Sequence, residues 1–333
     1  MIQASAKQPE QVNNCFKIFP YDQEYSELWD KFVSEVPMAT FLHTRRYLSY
    51  HADKFKDISL IITDDKNQWI GLFLAAVDPD HSYRVISHPG ITYGGVLHKG
   101  NLFGEKMLQA LQSVRNYYAA TGFEVLIYKA VPYIYHQKPS ADDLHALFRL
   151  GATRYRCDLS CAIDLQNSYQ ISQRRSRCLK KAQKQNVQVK EGATFAQNLW
   201  PVIEENLNQK YGVKPVHTLY EILHLYSLFP DNIQFVVGVF EAQIVAGVVL
   251  FNSLQVMHAQ YIAASPAGYN VSALDAIFDY CLKKANLQNK RYFNFGVSTE
   301  DQGYYLNVSL YQFKAEFGGG GVLHEFYELK LKG

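Results

Sequence analysis

Net charge is almost missing from this chain: 33 Lys and Arg stand against 31 Asp and Glu, a formal +2. A domain that holds DNA by bulk charge is strongly basic, so no DNA partner is expected. Cysteine is sparse and odd in number, with Cys15, Cys157, Cys161, Cys178 and Cys281 forming no C-x-x-C pair. That spacing offers no zinc or redox framework, predicts no metal site, and suits a reducing cytoplasm. Long apolar runs are also lacking. The opening MIQASAKQPEQVNNCFKIFP has no hydrophobic leader region, so export is not expected. The most apolar stretch, Phe235 to Phe251, is interrupted by Glu241 and Gln243. It falls short of the ~18 to 20 residues that span a bilayer and reads as a β-hairpin. Finally, the chain has no G-x-S-x-G elbow, no H-E-x-x-H and no Walker loop, which sets aside serine hydrolases, zincins and P-loop enzymes.

What is present is core-forming material. Apolar residues make up 48% of 333 and charged residues 19%, enough to offset the ordering entropy that keeps polar chains disordered. The length predicts two cores of roughly 150 to 200 residues each. The 24 Tyr and 20 Phe against 3 Trp suit broad, half-polar cleft walls.

An internal repeat organises the chain. Ile58 to Thr63 and Trp69 to Val77 read as a hairpin, and Ile233 to Phe240 with Ile244 to Phe251 repeats it, Gly71 and Gly247 falling at matching places. Each hairpin leads into further extended sequence, Ile91 to Leu97 and Val256 to Ala264. Helical spacing follows at Leu102 to Ala120 and Val271 to Ala285, then a strand at Phe123 to Lys129 and Tyr292 to Val297. Helical sequence also precedes the second copy, at Phe195 to Tyr211 and Thr218 to Phe229. Arg154 to Leu165 is expected to close the first unit and Val322 to Leu331 the second. Connection rules then predict α/β (α+β) units with mixed, mostly antiparallel sheets that gain a parallel strand through one helical crossover.

At the junction, Gln166 to Gln185, lies the strongest charge feature: Arg174, Arg175, Arg177, Lys180, Lys181 and Lys184 on potentially helical sequence. Such a run is either a solvated helix face or a basic wall for a phosphorylated substrate, with Arg174, Arg177 and Lys181 as candidate contacts.

Three segments carry a resemblance. RRSRCLKKAQKQNVQV, Arg174 to Val189, resembles the basic helix and strand that open the second unit of the FemABX aminoacyltransferases and the BioF2-like acetyltransferases, both built on the GNAT fold. YFNFGVSTEDQGYYLNVSL, Tyr292 to Leu310, is similar to their strand ending in F-x-F-G and its polar loop, and YQFKAEFGG, Tyr311 to Gly319, to their F-K-x-x-F-G-G run. The resemblance implies two tandem GNAT-like units. Residues 1–165 would form a degenerate, cleft-shaping domain and 166–333 the catalytic one. The implied activity is transfer of an acyl or aminoacyl group to an amine of a cell-envelope precursor or small metabolite. The contrasting reading is a non-catalytic module that binds tRNA or a nucleotide-sugar through helix 174–184.

The sequence departs from these families in two places. No heptad arm interrupts the second unit. The Q/R-x-x-G-x-G/A loop, whose backbone N–H groups cradle the coenzyme A pyrophosphate, is replaced by SPAGYNVSAL, Ser265 to Leu274. In the first unit that place holds YGGVLHKGNLFG, Tyr93 to Gly104. No permanently bound cofactor is expected, and the donor stays open between acyl-CoA and aminoacyl-tRNA.

Acyl transfer by direct attack needs a neutral amine, a proton acceptor and donors for the developing oxyanion. Lys314 is the leading candidate for a cationic group in the cleft, the ordinary alternative being an exposed helix lysine, and Phe313 would bound the same spot. Glu300 and Asp301 follow the second unit's strand, where α/β folds place substrate contacts, and either would orient or deprotonate an amine unless it only caps the next helix. Tyr304, Tyr305 and Asn307 are candidate acceptor contacts. On the strand 256–264, alternation sends His258 and Gln260 one way and Tyr261 the other; His258 is a candidate base or a hydrogen-bonded sheet histidine, and Tyr261 a substrate contact. His217 and His224 read as structural. HPGITYGG, His88 to Gly95, has the glycine density of a tight turn or of a loop that a ligand approaches.

Overall fold

The computed structural model describes residues 16–51 and 54–332, so Cys15 and most of the amino-terminal stretch lie outside the described residues. The first half runs β1 (Lys17–Pro20), α1 (Ser26–Ser34), α2 (Arg45–Leu48), β2 (Leu60–Thr63), β3 (Trp69–Phe73), β4 (Ala76–Val77), β5 (Arg84–Ile86) and β6 (Val96–Leu97). It continues with α3 (Glu105–Ala120), β7 (Val125–Lys129), α4 (Asp142–Arg149) and β8 (Thr153–Asp164). The second half runs α5 (Gln173–Lys184), β9 (Gln188–Glu191), α6 (Ala196–Tyr211), α7 (Leu219–Leu228), β10 (Ile233–Phe240), β11 (Gln243–Asn252) and β12 (Val256–Ala264). Then come α8 (Pro266–Asn270), α9 (Ala273–Leu287), β13 (Tyr292–Val297), β14 (Thr299–Glu300), β15 (Tyr305–Leu306), α10 (Val308–Ala315) and β16 (Gly320–Lys330). The α/β class and the tandem pattern are as expected. No described helix is long and apolar enough to cross a membrane.

Local chemistry sets the element ends. Thr218 and Glu221 form a reciprocal capping box that starts α7, Ser172 caps α5, and Gly212 ends α6 in the left-handed region. The β10–β11 turn bends at Glu241 and Ala242, both at positive φ. At Gly247 any side chain would strike Leu199, whose nearest atom lies 2.3 Å from an added Cβ, so α6 packs directly on the strand backbone there.

The sheets differ from the expectation in three ways. The first hairpin, β2–β3, belongs to a four-stranded sheet ordered β1-β2-β3-β6, although its register runs on past β3 to the bridge Asp57↔Ala76 at the start of β4. Most of Ile91 to Leu97 is not strand; only Val96–Leu97 pairs, with β3. Third, the closing strands are exchanged. The ten-stranded sheet is ordered β4-β5-β7-β16-β8-β13-β12-β11-β10-β9, so β8 pairs with β13 of the second half, and the last strand, β16, lies between β7 and β8. Alternation along 154–165 and 322–331 marks both strands, but period-2 patterning carries no information on which neighbour a strand chooses.

Three apolar cores follow. One lies under α3 (Met107, Leu111, Val114), one under α9 (Ile277, Phe278, Cys281), and the third joins the halves. In that third core Phe41 of the first half meets Phe229 at 5.2 Å and Phe251 at 5.4 Å between ring centroids. Tyr50 and His217 add a 3.1 Å hydrogen bond across it. This junction has the composition of a core, so the two halves are packed as a unit.

Candidate active site

Strands β12 and β13 run parallel, paired at Val256↔Tyr292, Met257↔Phe293 and His258↔Asn294, and then part. Two features force the split. On β12, Tyr261 pairs with Val249 and Ala259 with Leu250, leaving Gln260 as the extra residue of a bulge. On β13, Gly296 adopts φ +77, a conformation open to glycine without strain. Asn294, fully buried, fixes that kink: its Oδ1 accepts from Gly296 N at 2.9 Å and from Ser160 Oγ at 2.5 Å.

The gap beyond the split is a cavity of about 520 Å³. Its walls are His258, Gln260 and Ile262 of β12, Phe295 to Val297 of β13, Asn307 to Lys314 of α10, Asn206 to Tyr211 of α6, and Tyr269, Leu274, Thr92 and His324. Among the described residues no Asp or Glu lines it, whereas Lys210 and Lys314 do.

Lys314 is buried, at 3% exposure, not the exposed helix lysine of the ordinary alternative. Asn307 caps α10 by accepting from Leu310 N, and Phe313 and Phe317 pack that helix against Phe278 and Phe295. The last turn of α10 is thereby aimed at the kink. Lys314 Nζ donates to Gly296 O at 2.9 Å and Val297 O at 2.6 Å. An ammonium has three hydrogens, so one is left for the cavity. Burial pushes its pKa down to about 8; it is mainly cationic at neutral pH and loses its proton just above.

His258 lies beside it. Burial, then His324 and Lys314, push its pKa down to about 3, so the ring is neutral throughout the physiological range. As a base it is weak; as a neutral hydrogen-bonding ring it is well placed. Its Nδ1 is buried without a protein partner.

The other sequence candidates divide. Asn307 and Phe313 reach the cavity. Glu300 does not line it: it is exposed and accepts a 3.1 Å hydrogen bond from Asn307 Nδ2. Asp301, Tyr304 and Tyr305 are also exposed outside the lining, Tyr304 at 82%. Tyr261 faces the opposite side of the sheet, where its hydroxyl accepts from His217 N at 3.1 Å and meets His217 Nδ1 at 2.7 Å. On α5, Arg174, Arg177 and Lys181 are solvent-exposed. The residue of that run that turns inward is Arg175, bonded to Asp275 at 3.1 Å and adjacent to Glu316 at 3.0 Å.

The cavity residues that escaped the sequence reading include Asn206, Lys210, Tyr269, Thr92 and His324. Tyr269 has a defined polarity. Its hydroxyl accepts from Asn206 Nδ2 at 3.1 Å and from Lys210 Nζ at 2.5 Å, which occupies both lone pairs and leaves its own O–H free to donate. No local motif announces this triad, because α6 and α8 meet only in the folded chain.

The place where a coenzyme A pyrophosphate would sit does not fit one. α8 fills the strand-to-helix turn so tightly that a Cβ on Gly268 would stand 2.1 Å from Val245 O. The first turn of α9 carries Asp275, whose carboxylate is already paired with Arg175. An anion brought there would meet a side chain of like charge. In the first half, α3 opens with Glu105 after Gly104, whose N–H is taken by Asp142.

No family model matches the chain, and no curated protein matches it in sequence. Solved structures do match in fold. FemX superposes with a TM-score of 0.66 at 10% identity, covering 94% of this chain and 97% of FemX. The C-terminal domain of a putative lysylphosphatidylglycerol synthetase from Agrobacterium fabrum gives 0.61 at 10% identity, covering 92% of each chain. A tandem GNAT protein from the clavulanic acid biosynthesis pathway gives 0.55 at 9% identity, covering 96% of this chain and 99% of its own. The split parallel strands and the duplicated unit thus define a tandem fold shared with these structures. More narrowly, it is a FemABX/GNAT-like fold.

Proposed function

We propose that this chain transfers an acyl or aminoacyl group to the amine of a cell-envelope precursor or small metabolite in the cytoplasm. Residues 166–333 carry the chemistry and 1–165 shape the cleft. The observation that carries this reading is Lys314: a buried ammonium, held by two carbonyls at the strand split, with one N–H free toward a cavity that no carboxylate among the described residues lines.

In the reaction the acceptor nitrogen attacks the donor's carbonyl carbon, and a C–N bond forms while the carbonyl oxygen becomes an oxyanion. Lys314 donates to that oxygen, replacing a water hydrogen bond by a fixed one in a low-dielectric site. As the tetrahedral intermediate collapses, the C–O or C–S bond to the donor breaks. The proton lost by the amine ends on the leaving oxygen or sulfur, so no net proton is released to the protein. The neutral His258 and the Tyr269 hydroxyl orient the reacting groups. An ester donor such as aminoacyl-tRNA is favoured over a thioester of coenzyme A, because Asp275 and α8 occupy the pyrophosphate place.

The test is a calorimetric titration with acetyl-CoA, free coenzyme A, and charged and uncharged tRNA at two salt concentrations. Mass detection of amide product on an acceptor panel of L-lysine, glucosamine and a lysine-containing pentapeptide follows. Salt-sensitive binding of charged tRNA with amide formation is expected. Micromolar acetyl-CoA binding would overturn the donor assignment, and absence of product from every donor would overturn acyl transfer.

A further inference from the structure

The first half contains its own parallel pair, β5 and β7, matched at Arg84↔Val125, Val85↔Leu126 and Ile86↔Ile127. It corresponds to β12 and β13, but among the described residues the chain itself occupies the space beyond Ile86. The segment that follows β5, HPGITYGG, fills the gap. Ser87 N donates to Ile127 O at 2.8 Å and Gly94 N to Lys129 O at 3.0 Å, so the segment enters and leaves along the strand from which β5 has parted.

Lys129, the last residue of β7, pins the middle of this plug. It is buried at 6% exposure, and its Nζ donates to His88 O at 3.1 Å and to Ile91 O. Its hydrogen-bond partners are carbonyls and not a carboxylate, so the desolvation of its charge is offset by the backbone it holds and by the Phe326 ring, 5.9 Å from Nζ. Burial pushes its pKa down to about 7. His51 adds a 2.9 Å contact to Gly90 O, and its ring leaves no room for a Cβ on Gly90. His88 itself sits at φ +42, a conformation a histidine adopts only when its surroundings impose it. The turn so clamped carries one exposed residue, Thr92, flanked by buried Ile91 and Tyr93. Thr92 lines the catalytic cavity of the second half, and a narrow crevice past His258 and Gln260 continues from it toward Tyr93 and Tyr135.

We infer that the first half is a plugged acyltransferase cleft whose plug, clamped by Lys129, presents Thr92 as an acceptor-selecting contact in the second half's active site. Lys129 is a positioning residue and Thr92 a specificity residue. The inference rests on the acyl-transfer reading for the word acceptor, but not for the clamp.

Three proteins test it: the parent, Lys129→Met and Thr92→Val. Hydrogen exchange on the unliganded proteins reads the clamp. Lys129→Met is expected to speed exchange in 88–95 by about tenfold or more while the amides of β12 and β13 keep their protection. Unchanged exchange in 88–95 overturns the clamp whether or not turnover is found. Thr92→Val is expected to leave exchange unchanged. In the amide-forming assay, with the panel amine that turns over fastest, both variants are expected to raise the acceptor KM by about three- to tenfold. The donor KM and kcat should stay within about twofold, a split that general destabilisation does not produce. An acceptor KM equal to the parent's in Thr92→Val overturns its selecting role. A parent that forms no amide overturns acyl transfer and Thr92's role with it, whereas the exchange result decides the clamp separately.

Discussion

Replacing Lys314 by Met keeps the length of the side chain and deletes its charge, and the structure predicts that activity and stability then part company. Burial moves the lysine pKa from 10.5 to about 8, so holding the ammonium in the fold costs about 3 kcal/mol at neutral pH. Methionine removes that cost. It also strips Gly296 O and Val297 O of a donor, at about 1–3 kcal/mol for each acceptor left without a partner. The two effects oppose each other, and the melting temperature should move by less than about 5 °C. Lys314 is the cavity cation held at the strand split, so losing it as the oxyanion donor should lower kcat by about 10² to 10³. The assay is amide formation at saturating donor, beside thermal unfolding of the same samples. The pH profile supplies the sign. In the parent, kcat should decline as pH rises past about 8 and the ammonium loses its proton. Because the folded pKa is depressed, the folded form carries its burial cost below pH 8 and sheds it between pH 8 and 10.5. Over that window the parent should gain up to about 3 kcal/mol of stability relative to Lys314→Met. A folded Lys314→Met that keeps more than about a tenth of kcat would refute the oxyanion role. A parental kcat that rises through pH 8 to 9 would instead make Lys314 a base.

Other consequences are equally direct. Five buried histidines, His43, His51, His98, His217 and His324, are each pushed by burial from 6.5 to about 4. Their depressed pKa makes the unfolded chain the better proton acceptor between pH 6.5 and 4, so stability is lost as pH falls through that window, by about 2 kcal/mol per histidine at pH 5. Acid unfolding near pH 5 with uptake of several protons is expected, and equal denaturant midpoints at pH 7 and 5 would exclude it. Tyr269→Phe removes one free donor from a residue of the cavity wall and should raise a substrate KM about three- to tenfold, with the melting temperature little changed; unaltered kinetics would show that the O–H faces only water. Gly268→Ala drives a Cβ toward Val245 O, 2.1 Å away. It should cost about 1–3 kcal/mol, read by urea unfolding, and a neutral result would mean that α8 shifts freely.

The repeat and its element types are readable in the chain because hydrophobic period depends only on which face of a strand or helix is covered. Ile233–Phe240, Val256–Ala264 and Tyr292–Val297 form with the ends expected from alternation and turn residues. The basic run forms helix α5 behind its Ser172 cap. Lys314 was legible too, though through its F-K-x-x-F-G-G setting and not through any property of a lone lysine. Of the candidates that failed to reach the cavity, Glu300, Asp301, Tyr304 and Tyr305 sit one short loop away from those that did, whereas Tyr261 faces the other side of the sheet and Arg174, Arg177 and Lys181 face solvent. Sequence adjacency to a strand end locates a region, but side-chain direction after a kink such as Gly296 depends on what the kink packs against.

By itself, then, the sequence determined two α/β units in tandem and the run of strands and helices within the second, since each is set by local period, capping and turn chemistry. Only tertiary structure decided the rest. The exchange of β8 and β16 is a choice of hydrogen-bonding partner, and every strand edge offers the same N–H and C=O groups. The depressed pKa values of Lys314 and His258 come from desolvation by residues far apart in the chain. The placement of Thr92 in a cavity built by the other half depends on a lysine 37 residues further along the chain finding two carbonyls in an otherwise closed gap.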